Sequence, residues 1–175
     1  MVPWQSLLKT LSGGDLRSIG RSNEVVARVI ARPSLFRQLI QGLTSRDRIV
    51  RMRAADAIDK ISLSRPELLA PHKRKLLELA ARAEEKEFRW HMALLLPRLS
   101  LRPSERMAVV DILHEYLRDR SSIVRTFAMQ SLADLAREDR NLMSRVLPLI
   151  EELTENGTPA MRARGRKLLK QLRCL

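Results

Sequence analysis

Cysteine is nearly absent from this chain. Cys174 is the only one, so no disulfide can close within the molecule, which fits a reducing compartment. Aromatic residues make up only 3 %, so a core built on rings is excluded and platforms for stacking bases are scarce. No uncharged apolar run approaches the ~20 residues of a membrane helix, and no contact with membrane is expected. The start, Met1 to Lys9, has no basic region followed by a long apolar one, so it does not read as a secretory signal; the expected location is cytoplasmic. His72, His91 and His114 are scattered, with no His-x-x-x-His pair and no second cysteine. Neither a metal site nor a cofactor is expected from them. Gly13-Gly14 lacks the flanking pattern of a phosphate loop.

What the chain does have is aliphatic. Apolar residues are 45 %, mostly Leu, Ala, Ile, Val and Met. Leu, Ala and Met favour helices, and no long Val/Ile/Thr/Tyr alternation marks a strand. The expected fold class is all-α, and 175 residues suffice for one domain, 1–175, with a substantial core. The chain also repeats itself. Val50-Arg51 through Ile61 returns, degraded, as Phe88-Arg89 through Leu99, Val124-Arg125 through Leu135 and Met161-Arg162 through Leu172, at intervals of 38, 36 and 37. Each copy opens on an apolar residue followed by Arg and carries apolar residues eight and eleven positions later. A fixed period of this size means stacked supersecondary units.

Punctuation places the units. A short helix from Pro3 to Leu11 ends at Gly13-Gly14, and a second helical region, 15–32, is interrupted near Gly20. Together 1–33 read as a degenerate terminal cap. Pro33 then opens a pair, 34–64, whose first helix carries Leu35, Phe36, Leu39, Ile40 and Leu43 at helical spacing. Arg65-Pro66-Glu67 opens the pair 65–100, with Pro71 early in its first helix. Arg102-Pro103-Ser104-Glu105 opens 101–137, where Val109, Val110, Ile112, Leu113, Tyr116 and Leu117 form the core face and Ser121-Ser122 cap the second helix. The last pair, 138–175, is divided by Asn156-Gly157-Thr158-Pro159, a strong stop-and-restart signal.

A helical pair with an acidic turn before Val-Arg and a small-residue cluster after it resembles the HEAT repeat. Arg46-Asp47-Arg48-Ile49-Val50-Arg51 with Ala54-Ala55, and Asp119 with Val124-Arg125, carry the likeness best. The resemblance implies a right-handed α-solenoid of about four stacked antiparallel helix pairs plus an N-terminal cap. It implies second helices on the concave face and first helices on the convex face. It also implies a ladder in which Arg51, Arg89, Arg125 and Arg162 bond acids of the turns. Asp47 and Asp119 match those acids; Asn156 and Thr158 replace them in the last copy.

The helical register sorts the faces. With the opening apolar residue at zero and about 100° per residue, positions four, eight and eleven later form the buried stripe, and the arginines lie on its edge. Positions two, six and nine later face the opposite way and should line the groove: Met52, Asp56, Asp59; Trp90, Leu94, Pro97; Thr126, Gln130, Ala133; and Ala163, Lys167, Lys170. Trp90 with Leu94 is the pair most like a protein-binding anchor; the competing role for Trp90 is packing against a neighbouring turn. Charge suggests a rival. The net charge is +13, and residues 157–175 carry six bases and no acid while 121–156 carry four bases and six acids. Arg162, Arg164, Arg166, Lys167, Lys170 and Arg173 would be the first contact with duplex nucleic acid.

Catalysis finds little support. Iron hydroxylases built from HEAT-like repeats use several His-Glu dipeptides, and only His114-Glu115 occurs here. DNA glycosylases of HEAT-like build need aromatics and a carboxylate in the groove, for which only Trp90 and Asp56 are candidates. The expectation is a non-enzymatic scaffold that binds a protein or peptide, with nucleic acid as the alternative and no small-molecule substrate; the sequence leaves the oligomeric state open.

Overall fold

The computed structural model describes residues 3–174, with side chains from residue 7 onward; Met1, Val2 and Leu175 lie outside it. The chain is all-α, with 79 % helix and no strand among the described residues. Ten α-helices follow one another: α1 Pro3–Leu11, α2 Ser22–Ala31, α3 Phe36–Gly42, α4 Arg48–Ser64, α5 Lys73–Ala81, α6 Lys86–Leu95, α7 Pro103–Leu117, α8 Ser122–Ala136, α9 Arg140–Asn156 and α10 Pro159–Leu172. Short 3-10 turns precede α3 (Pro33–Leu35) and α5 (Pro66–His72) and extend α6 (Leu96–Arg98). Each of these turns contains a proline, whose missing N–H and ring disfavour a regular α-helical turn.

The helices gather into two compact units, Met1–Lys75 and Leu76–Leu175. The division falls in the first turn of α5, inside the repeat expected at 65–100. In the first unit α4 is central; α1, α2, α3 and the 3-10 turn after α4 pack on it. Val50, Ala54, Ala55, Ala57, Ile58 and Ile61 are buried there, each large aliphatic among them contributing about 1.5–3 kcal/mol. Asp47 starts α4 by accepting the Ile49 N–H at 2.8 Å, a cap worth about 1 kcal/mol. The five residues expected to form the apolar face of the preceding helix, Leu35, Phe36, Leu39, Ile40 and Leu43, are all buried.

The region 15–32 departs from expectation. Only Ser22–Ala31 is helical; 12–21 is a loop held in place by Arg53 of α4. The Arg53 side chain is buried, and its guanidinium meets carbonyls, with no carboxylate partner among the described residues. Its Nε donates to Ser18 O at 3.0 Å, Nη1 to Leu11 O at 2.8 Å and Gly13 O at 2.6 Å, and Nη2 to Asp15 O at 3.2 Å. Gly20, at φ +52°, lets the loop close over this group; a Cβ there would stand 2.6 Å from Arg53 Cζ. The carbonyls converge on the guanidinium instead of lining up along a helix axis, and a loop stands here in place of a helix.

In the second unit α8 is central. It packs against α6, α7, α9 and α10, so α6, α8 and α10 lie in series with α8 between the other two. The opening residues Phe88, Val124 and Met161 are buried, as is Val50 of α4, and so are Leu96, Leu99, Leu132, Leu135 and Leu172. Leu169 is half-buried. On α7, Val109, Val110, Leu113 and Tyr116 are buried, and the Tyr116 hydroxyl donates to Ala80 O at 2.7 Å. Ser131 of α8 donates to Ala93 O of α6 at 2.7 Å. Gly165 lets α10 lie against α9, since a Cβ there would come within 2.8 Å of Met129 Cε and still nearer Thr154 Oγ1. Asp139 caps α9 through the Asn141 and Leu142 N–H groups. Ser121 precedes α8 without a side-chain cap; its own N–H goes to Asp119, and the Ser122 hydroxyl pairs with that of Thr158 at 2.7 Å.

Candidate functional site

Three side chains on three successive second helices meet along one side of the second unit. Trp90 stands on α6, Phe127 on α8 and Arg164 on α10, each 37 residues after the last. The Trp90 and Phe127 rings stack at 5.4 Å between centroids and 22° between planes. The Arg164 guanidinium lies over the Phe127 ring, 5.9 Å from its centroid. Aromatic pairs of this kind contribute about 0.5–1.5 kcal/mol beyond their buried area; a cation over a ring adds about 0.5–1 kcal/mol. Arg164 Nη1 also donates to Gln130 Oε1 at 2.8 Å, and Gln130 Nε2 donates to Asp134 Oδ1 at 2.9 Å. The amide of Gln130 therefore has a fixed direction, with its oxygen towards α10 and its nitrogen towards the C-terminal end of α8. All five side chains are half-buried: held in place, and still open on one side. His91 is buried against the inner side of Trp90.

Beyond Gln130 the strip runs into an open groove of about 440 Å³ lined by Pro97, Arg98, Asp134, Arg137 and Glu138. Burial pushes the Asp134 carboxyl above its ordinary value, against the opposing pull of the Gln130 hydrogen bond and of the charges on Arg137, Arg98 and Arg164. The arrangement offers apolar faces, one oriented guanidinium and two carboxylates, Asp134 and Glu138, among arginines. These are elements of recognition. Among the described residues no group of three His, Cys, Asp or Glu side chains could hold a metal ion.

The residues expected in the groove are distributed unequally. Trp90, Leu94, Pro97 and Gln130 are half-buried, and Ala163, Lys167 and Lys170 are exposed. Met52 and Asp56 are corrections: each is only 5 % exposed. The side of α4 that should have faced solvent is covered by α2, whose Ser22 donates to Asp56 Oδ2 at 2.5 Å. Lys60 completes the shell, bonding Asp56 at 2.7 Å and Asn23 at 2.8 Å. Asp59 is half-buried, and Thr126 and Ala133 are buried between neighbouring helices.

One rung of the arginine ladder is explicit at Arg89. Arg89 Nη1 reaches Asp119 Oδ2 at 2.6 Å, across a repeat boundary, while its Nε donates to Ala83 O six residues back. Arg51 uses the same backward reach, donating to Ser45 O at 2.6 Å and Arg46 O at 3.1 Å; Asp47 is occupied as a helix cap. Arg125 makes no ion pair among the described residues, and its Nε is buried without a hydrogen-bond partner. Asp119 serves Arg89 and the Ser121 N–H, and the turn that follows in the next repeat carries Asn156 and Thr158 in place of an acid. Arg162 points outward and is exposed. Of the other basic residues of the last repeat, Arg166, Lys167 and Lys170 are exposed, Arg164 is turned into the aromatic strip, and Arg173 pairs with Glu151 at 2.7 Å.

Phe127, Asp134 and the seat of Arg164 were missed. The available signal was the strict period of 37 linking Arg53, Trp90, Phe127 and Arg164, three residues into three of the four copies.

No family model matches this chain, and no curated protein does. Among solved structures the fold is similar to that of an engineered protein, with a TM-score of 0.64 and 18 % identity over 98 % of this chain and 79 % of that one. At that identity the likeness speaks to fold alone.

Proposed function

We propose that this protein is a non-enzymatic recognition scaffold whose helix pairs are HEAT-like repeats of a right-handed α-solenoid, and that it captures a protein or peptide segment. The observation that carries this reading is the Trp90–Phe127 stack, spread over two helices and half-open to solvent. Aromatic side chains that are rigidly packed on one face and accessible on the other dominate binding centres. The Arg89–Asp119 bond between repeats and the serial packing of α6, α8 and α10 support the repeat assignment.

The burial of Met52 and Asp56 changes the partner envisaged. Asp56 is withdrawn from the groove, and the open face is apolar around Trp90, Leu94 and Phe127 and cationic at Arg164, Arg98 and Arg137, with Asp134 and Glu138 beside them. It suits a segment with an apolar anchor followed by acidic residues. The test is affinity capture from extract of the source cells, with and without nuclease, using the wild-type chain and Trp90→Ala. Loss of a discrete protein partner on substitution, with helicity by circular dichroism retained, is expected. Equal capture by both chains, or capture that nuclease abolishes, would reject the reading.

A further inference from the structure

We propose that the outward strip of α10 is a second binding surface, which docks on the phosphate backbone of double-stranded nucleic acid. The inference is independent of the aromatic strip. Arg162, Arg166 and Lys170 follow one another at i, i+4 and i+8, so they share one side of the helix over about 12 Å, and Lys167 flanks them. All four are exposed, and none pairs with a carboxylate among the described residues. The opposite side, Met161, Gly165, Leu168 and Leu172, is buried.

The local energetics of this strip are unfavourable. Like charges one turn apart repel. Arg162 sits close to the N-terminal, positive end of the helix, where a cation is disfavoured. Three exposed arginines elsewhere do have an acid beside them: Arg21 pairs with Glu24, Arg102 with Glu105 and Arg118 with Glu115. Pro159–Leu172 contains no acid at all. A helix that keeps mutually repelling, unneutralised cations on its open side is complementary to a polyanion. The strip has no ring on which a base could stack, since Trp90 and Phe127 lie on α6 and α8; that favours duplex phosphate over single strands. Its apolar side is already used in packing, so it cannot lie in a lipid interface as an amphipathic helix does.

Four phosphate contacts set a quantitative expectation. The logarithm of affinity should fall with the logarithm of salt at a slope of about −3.6, or about 100-fold between roughly 50 and 200 mM. The probes are short random-sequence duplexes of DNA and of RNA, read by fluorescence anisotropy on the full chain. Exchanging all four cations for glutamine should weaken binding about 100-fold or more at about 50 mM salt, without lowering the melting temperature, because repulsion is relieved. Should that variant fold poorly, Arg162→Gln with Arg166→Gln should flatten the slope by about two. Arg164→Gln and Trp90→Ala should leave the slope unchanged, which separates this proposal from the peptide-binding one. The proposal is overturned if duplex does not bind at about 50 mM salt, or if the α10 variants keep the wild-type slope. It is equally overturned if exchange of Lys73, Arg74 and Lys75 abolishes binding instead, or if the strip holds phosphatidylserine vesicles and not duplex.

Discussion

The central helices of the two units, α4 and α8, are built on one register and end in opposite situations. Arg53, Asp56 and Lys60 of α4 lie two periods before Phe127, Gln130 and Asp134 of α8. Both helices carry an i, i+4 polar contact at the corresponding place, Lys60 to Asp56 and Gln130 to Asp134. On α4 that side is sealed by α2 and by the loop wound around the Arg53 guanidinium. On α8 it remains half-open, with a ring where α4 has a clamp. Position within the repeat fixes which way a side chain points; what lies over it decides whether it becomes core or contact surface.

The largest way to break this comparison is to remove the clamp. Arg53→Ala should cost about 3 kcal/mol in urea unfolding, because several loop carbonyls lose their donor at once. Arg53→Lys should recover only part, since an ammonium cannot span the same carbonyls as a planar fork. Amide exchange in 12–21 should speed up in both. Gly20→Ala should cost about 1–3 kcal/mol, from its left-handed backbone and its contact with Arg53. On the open side, Phe127→Ala should cost less, about 1–2 kcal/mol, and should alter the Trp90 emission. The smallest effect is expected at Asp134. Its carboxyl is raised in the folded state, so the stability linked to it is full below the ordinary carboxylate range and is lost as pH rises through the raised value. Asp134→Asn should therefore stabilise slightly at neutral pH, and the gain should fade on acidification; unchanged melting curves at both pH values would refute this.

The core of the repeats was legible in the sequence because it depends on local periodicity. The opening residues and the aliphatics eight and eleven later are buried almost without exception, and the stop at Gly13, the restart at Pro159 and the N-cap at Asp47 mark real helix boundaries. The covering of α4 was not legible. Met52 and Asp56 stand at angles that a helical wheel gives to solvent, and no neighbouring residue records that α2 covers this side of α4, with Ser22, thirty-four residues before Asp56, bonded to it. Arg53 is a similar case: a single arginine among others in Val50–Ala57 does not announce a partner made of backbone oxygens. Trp90 was legible as a conspicuous residue but not as half of a stack, because Phe127 falls one step outside the groove positions read from the opening residues.

The absence of a single methyl group at Gly165 has a mechanical consequence. With Thr154 and Met129 so near, even alanine would press α10 away from α9 and α8 unless the Thr154 and Met129 side chains gave way. Arg164 would then be lifted off Phe127, and the row of cations on the far side would shift with it. One hydrogen atom in place of a side chain thus sets the elevation of both surfaces at once, so that neither could be tuned there without moving the other.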